Sequence, residues 1–268
     1  MSTKRKVVFR DADIVDFCRA TQDTNVIHNP GYMDSYGKRV IVPGMFAFSC
    51  TAILCGDFLK QSANRIQVFF NSLLSSGETI ELCMEPNPCD PGEIRLRATN
   101  SRDMLTTREA YTRMMNGKVE IRPQQEGIFR SLPVSEEQIV LFEQLISSTD
   151  TQSARFLFAV SYASQALFRS IREANTEVEH EIDRLINGNL RISPFYHTLE
   201  ITLPSQFPSL AGQGTLDYLI HFTREKLNKA YVACLECQQE QRIIFQSVYK
   251  LVAIPDSVIL RMAKEKVR

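Results

Sequence analysis

The stretch Asp23-Thr24-Asn25-Val26-Ile27-His28-Asn29-Pro30 puts a carboxylate and an imidazole five positions apart in an irregular polar segment. Held on either side of one water, two such groups could take a proton from it and deliver a proton to a substrate carbon. A second stretch, Arg39-Val40-Ile41-Val42-Pro43-Gly44-Met45, opens an apolar run that reads as a helix over 45–59. The first amides of a helix have no intrahelical partner and lie at the positive end of its dipole. Negative charge developing on a substrate oxygen can be received there. A glycine at that start, here Gly44, lets a carbonyl approach with no side chain between. Ser49 follows on the same helix, five positions on.

The surrounding elements must hold these residues. A short strand is expected over 6–9, then a helix over 11–21 capped by Asp11, with Ile14, Phe17 and Cys18 at helical spacing. The helix over 45–59 is apolar on nearly every side, so other structure must wrap it. Four strand-like stretches follow, at 65–74, 78–85, 93–99 and 105–114, joined by good turn chemistry. Parts of the second and third stretches alternate, with Ile80, Leu82 and Met84 two apart and likewise Ile94, Leu96 and Ala98. An apolar helix followed by an antiparallel sheet curling around it is the hot-dog arrangement, in the α+β class.

The second half repeats this order. A helix over 135–148 capped at Ser135 precedes a long apolar helix over 154–174 and strands at 197–203, 215–223, 230–238 and 242–253. A charged helix-like stretch at 177–186 has no counterpart in the first half. Residues repeat faintly too. Ile14-Val15-x-Phe17 answers Ile139-Val140-x-Phe142, Asp23-Thr24 answers Asp150-Thr151, and Phe46-Ala47-Phe48-Ser49 answers Phe158-Ala159-Val160-Ser161. Chance similarity of two buried helices is the alternative, and the shared order of elements argues against it. The expectation is a double hot-dog, two antiparallel sheets each wrapped around a central apolar helix. Its halves would span 1–118 and 134–268, with a linker at 119–133. The halves would form a pseudo-dimer whose sheets can pair.

Bulk composition narrows the partners. Thirty-one basic and 31 acidic residues give zero net charge, so nothing electrostatic points to nucleic acid or an anionic membrane. The longest apolar run, 40–59, is interrupted by Pro43, Gly44, Ser49, Thr51, Gly56 and Asp57, which suits a buried helix and not a span. Seven cysteines, an odd number with no signal peptide before them, read as reduced thiols of a cytoplasmic protein. Cys234 and Cys237 fall in one strand, where positions three apart face opposite sides, so no zinc site is expected. The chain carries no Gly-x-Ser-x-Gly elbow and no phosphate-binding glycine loop, and His180, His197 and His221 sit in no motif. Residues 264–268 read as a solvated tail. No metal or cofactor is expected.

The first motif resembles Asp-x-Asn-Pro-(Leu/Ile)-His, the signature of MaoC-like and (R)-specific enoyl-thioester hydratases. The second is similar to that family's Arg-Pro-Ile-Val-His-Gly-Met, which opens the central helix. Val26 stands where the family has proline, and Pro43 where it has a histidine other than the catalytic one. The match covers roughly residues 10–55. The resemblance implies reversible hydration of trans-2-enoyl thioesters to (3R)-hydroxyacyl thioesters, carried on CoA or acyl-carrier protein. It makes Asp23 and His28 the acid–base pair and Gly44 the oxyanion donor. Asn25 would brace the loop and Ser49 would orient the pair. Asn25 is also read as a plain turn-former, and Ser49 as a buried serine bonding back to its own helix.

In the second half Asp150 and Ser161 are only 11 positions apart, so the loop and its histidine are missing and only the first half should be catalytic. Asp150 would then cap the following helix. Phe156, Phe158, Tyr162 and Phe168 would line acyl space or fill the core. The chain could work as a monomeric pseudo-dimer or as a homodimer. Two other functions stay open, because fold does not settle reaction: a non-catalytic module that binds an acyl thioester or a partner protein, and an acyl-thioester hydrolase.

Overall fold

Strands β1 (Thr3–Val8), β2 (Arg65–Phe70), β3 (Thr79–Asn87), β4 (Asp90–Asn100) and β5 (Glu109–Met115) build the first half-sheet. Strands β6 (Ile128–Val134), β7 (Ile192–Thr202), β8 (Gly214–Arg224), β9 (Tyr231–Gln239) and β10 (Arg242–Pro255) build the second. The computed structural model describes residues 3–61, 63–71, 73–100, 109–116, 121–124, 126–172, 192–224 and 231–266. Every pairing is antiparallel, and the order is β1-β3-β4-β5-β2-β7-β10-β9-β8-β6. The second five strands repeat the order of the first five in reverse, as a two-fold relation between halves requires.

The two sheets expected from the sequence are therefore halves of one ten-stranded sheet. Equivalent strands β2 and β7 make the junction, with Ile66 opposite Ile201 and Val68 opposite Leu199. Each strand satisfies backbone groups that the other would otherwise leave open at an edge. The linker boundary also needs correction. Residues 128–133, expected as linker, belong to β6, which pairs along β8. The helix-like stretch at 177–186 lies outside the described residues, as does 105–108 of the fourth expected strand.

The strands alternate as a half-buried sheet does. Ile80 and Leu82, Leu96 and Ala98, and Ala233, Leu235 and Cys237 point into the core. Against the first half-sheet lies helix α3 (Gly44–Ala52), with Met45 to Ala52 all buried. The helix expected over 45–59 breaks here: a single 3-10 turn at Ile53–Cys55 separates α3 from α4 (Gly56–Gln61). Against the second half-sheet lies α6 (Thr151–Arg172), whose Ala154, Phe156, Leu157, Ala159, Val160 and Ala163 are fully buried.

Two amphipathic helices, α1 (Asp11–Thr21) and α5 (Glu136–Ile146), pack on each other and join the halves on the helix side. Helix α5 has a reciprocal cap: the Gln138 amide donates to Ser135 Oγ at 3.2 Å, and the Ser135 amide to Gln138 Oε1 at 3.0 Å. In α1 the capping residue is Arg10, not Asp11. Its backbone amide donates to Asp13 Oδ2 at 3.0 Å, which leaves Asp11 in the first turn. Among the described residues no helix is long and apolar enough to cross a membrane.

Candidate active site

Helix α1 ends where Gln22 takes a left-handed conformation (φ 53°, ψ 31°) and the Asp23 amide donates back to Cys18 O at 3.0 Å. This turns the chain off the helix and places Asp23 at the start of the loop. Asp23 Oδ1 then accepts from the Asn25 amide at 2.9 Å, a local turn that fixes the carboxylate. Asn25 begins a 3-10 turn, Val26–His28, and its carbonyl accepts from the His28 amide at 3.0 Å. The turn drives Ile27 into the core, leaves Val26 exposed, and buries His28 beside a part-buried Asp23.

The His28 ring is oriented by the backbone. Its Nδ1 lies 2.7 Å from Ile41 O. A carbonyl only accepts, so Nδ1 carries a proton, and the tautomer this selects has its lone pair at Nε2. Nε2 is 3.8 Å from Asp23 Oδ2. That is too long for a direct hydrogen bond, and it suits one water donating a hydrogen to each acceptor.

The segment that holds the ring also leads into the central helix. The Ile41 amide donates to Ile27 O at 3.2 Å, the Val42 amide to Leu74 O at 2.9 Å, and the Ser76 amide to Val40 O at 2.8 Å. Residues 40–42 are thus clamped between the loop and 74–76, and α3 starts two residues later at Gly44. A side chain at position 44 would place its Cβ 2.5 Å from Phe70 Cδ1. The glycine therefore admits the Phe70 ring of β2. That face was expected to be open to a substrate carbonyl and is instead packed. The Gly44 amide still belongs to the first turn, where helix amides have no intrahelical partner.

Ser49 goes elsewhere than the resemblance implied. It is fully buried on α3, and its Oγ lies 3.3 Å from Ser161 Oγ on α6, so its hydrogen bond crosses to the other half and not to Asp23 or His28. Asp150 sits just before α6. It accepts from the Gln152 amide at 3.3 Å and from Ser153 Oγ at 2.6 Å, and it pairs with Lys60 of α4 at 2.9 Å. Burial pushes its carboxyl up, but the bonds from Ser153 and Lys60 outweigh that and hold it below the ordinary range. Phe156 packs edge-on to Phe207 and Phe245, and Phe158 on Phe142 and Tyr162, whose hydroxyl donates to Pro133 O at 3.0 Å. These three rings are core, and Phe168 is partly buried against it.

Sequence reasoning missed Tyr32, on the short helix α2 (Pro30–Asp34) that follows His28. Its hydroxyl donates to Asp256 Oδ2 at 2.8 Å. The partners are 224 positions apart, so no local pattern could reveal them. Among the described residues no cluster of side chains suits a metal ion. Cys237 is buried and Cys234 lies on the opposite, partly open face. Burial pushes the Cys50 and Cys55 thiols up to about 12, so neither is an activated nucleophile.

No protein-family model and no curated protein matches the sequence. Solved structures match in shape. A MaoC-like dehydratase superimposes with a TM-score of 0.58 at 9% identity, covering 94% of this chain and 97% of that one. A MaoC-like dehydratase from Phytophthora capsici gives 0.57 at 9% identity, with 94% and 95% covered. A Mycobacterium tuberculosis protein with a double hotdog fold gives 0.52 at 9% identity, with 95% and 96% covered. At this identity the likeness is one of fold. The chain is an α+β double hot-dog, the fold shared by MaoC-like dehydratases.

Proposed function

We propose that the protein reversibly hydrates trans-2-enoyl thioesters to (3R)-hydroxyacyl thioesters, using Asp23 and His28 as its acid–base pair. The observation that carries this reading is the geometry of His28: Nδ1–H tied to Ile41 O, and Nε2 facing Asp23 Oδ2 across 3.8 Å. One water between Nε2 and the carboxylate is held by both. Nε2 takes a proton as the water oxygen bonds to C3, and the C2–C3 π electrons move onto the thioester as an enolate. Return of a proton to C2 completes the addition of water, and dehydration runs the same steps backwards. The Gly44 amide at the start of α3 is the donor offered to the enolate oxygen. Asn25 supports the pair by shaping the turn that carries His28. No electron leaves or enters, so the reaction calls for no redox cofactor.

Shared fold with MaoC-like dehydratases supports the reaction class. The duplicated halves, near 1–118 and 128–268, supply in one chain the two units that a hot-dog dimer brings together. The thioester carrier is CoA or acyl-carrier protein. Loss of the conjugated enoyl-thioester absorbance of crotonyl-CoA is a direct test, run beside an assay for released thiol. Hydration without thiol release supports the proposal. Thiol release without hydration makes the protein a hydrolase, and binding with neither makes it a non-catalytic acyl-thioester module.

A further inference from the structure

The end of the second half returns to the first half and lies against the segment that follows His28. Strand β10 ends at Pro255, and helix α7 (Asp256–Met262) begins at a buried Asp256. Ile259 and Ala263 are core residues, so this helix has a fixed seat. From that seat Asp256 accepts from the Tyr32 hydroxyl at 2.8 Å. Burial, and then the Asp256 carboxylate, push the Tyr32 hydroxyl well above the ordinary tyrosine range, so it remains a donor.

Beyond α7 the chain, expected to be a solvated tail, pairs with the far end of the same loop. The Arg39 amide donates to Lys264 O at 2.9 Å, and the Lys266 amide donates to Gly37 O at 2.9 Å, across an antiparallel bridge between Lys38 and Glu265. Lys38 and Glu265 also form an ion pair. Lys266 Nζ meets Asp34 at 2.6 Å, and Lys264 Nζ meets the buried Glu78 at 2.5 Å. The exposed ion pairs among these contribute little singly. The two backbone bonds immobilise no long side chain, and the part-buried Tyr32–Asp256 bond has a carboxylate acceptor, which strengthens it.

These contacts bracket the candidate site. Tyr32 stands four positions after His28, and Arg39 stands two before Ile41, whose carbonyl fixes the His28 ring. We propose that residues 256–266 form a clasp that holds the His28 loop in its working geometry, with Asp256 and Tyr32 as positioning residues. This rests on the hydratase reading above. A site whose groups all come from the first half is thereby completed by the second.

The test compares Tyr32→Phe, Asp256→Ala, the double variant and a chain ending at Ala263 with the parent. Circular dichroism first establishes that each is folded, and Tyr32→Phe, which removes one hydroxyl, guards against misfolding of the others. Faster hydrogen exchange in peptides spanning 29–39, with a shifted His28 ring resonance, is the expected result. On crotonyl-CoA, kcat should fall roughly tenfold or more while KM stays within about twofold, since misplacement costs orientation and not binding. The double variant should be no worse than the worse single, because both remove one bond. Unchanged exchange and an unmoved His28 resonance in Tyr32→Phe would overturn the clasp, as would normal kcat despite a loosened loop. If the parent hydrates no enoyl thioester, the hydratase reading fails, and exchange and resonance still decide the clasp.

Discussion

Ser49 Oγ and Ser161 Oγ lie 3.3 Å apart in the centre of the molecule, and the two serines are equivalent positions of the repeated sequence. A residue can touch its own counterpart only where it sits near the axis relating the halves. Phe17 and Phe142, equivalent residues of α1 and α5, meet in the same way with ring centroids 5.7 Å apart. Phe17 stacks on Phe46, and its counterpart Phe142 meets Phe158 edge-on, so the same two aromatic positions meet in each half, with different ring geometry. The duplication is thus written into the core.

Truncating either serine should strand the hydroxyl of the other in a buried setting. Ser49→Ala and Ser161→Ala are each expected to cost about 1 kcal/mol, and the double variant little more than the worse single. Urea unfolding of the four proteins measures this. Strict additivity would mean that the two hydroxyls do not share a bond.

Gly44→Ala should destabilise the protein by about 1–3 kcal/mol, because the new methyl meets the Phe70 ring at 2.5 Å. Combining it with Phe70→Ala should recover part of that loss beyond additivity. Melting temperatures of the singles and the double provide the comparison. A fully tolerated Gly44→Ala would show that the packing of β2 on the helix start gives way easily.

Asp23→Asn and His28→Ala should each lower enoyl-thioester hydration by about a hundredfold or more, the scale of a lost general acid or base. Asp23→Asn keeps the acceptor oxygen for the Asn25 amide, so the loop should keep its shape. Near-normal turnover in both folded variants would remove the pair from the mechanism.

Asp150→Asn should leave hydration nearly unchanged, since Asp150 caps α6 and pairs with Lys60 instead of facing a histidine. Its effect belongs to stability. The folded carboxyl titrates below its ordinary 3.8, so its contribution is complete above that value. It is lost as pH falls through the depressed folded value. The melting-temperature gap between parent and Asp150→Asn should therefore be steady near neutrality and shrink below about pH 4. A variant as inactive as Asp23→Asn would force a two-site model.

Much of this was legible from local pattern. The 11–21 helix and the alternating strands follow from backbone preference and face periodicity, which neighbouring residues encode. The Asp23 to His28 spacing had the same status: residues five positions apart across two consecutive tight turns must stay close, and the turn begun by Asn25 brings Nε2 to 3.8 Å from the carboxylate. The absence of a histidine between Asp150 and Ser161 was equally plain in the sequence.

Tertiary structure alone decided what meets what over long separations. Ser49 found a partner 112 positions away and Tyr32 one 224 away, distances over which no periodicity carries information. The glycine at 44 proved to accommodate a strand residue, because the seat of β2 depends on how the sheet curls around α3. The two half-sheets became one because β2 and β7 each had an open edge that only the other's backbone, brought alongside by the packed helices, could satisfy. Residues 264–268 read as a solvated tail, yet 264–266 are tied by backbone bonds to residues 37–39, and backbone bonds leave no signature in side-chain chemistry.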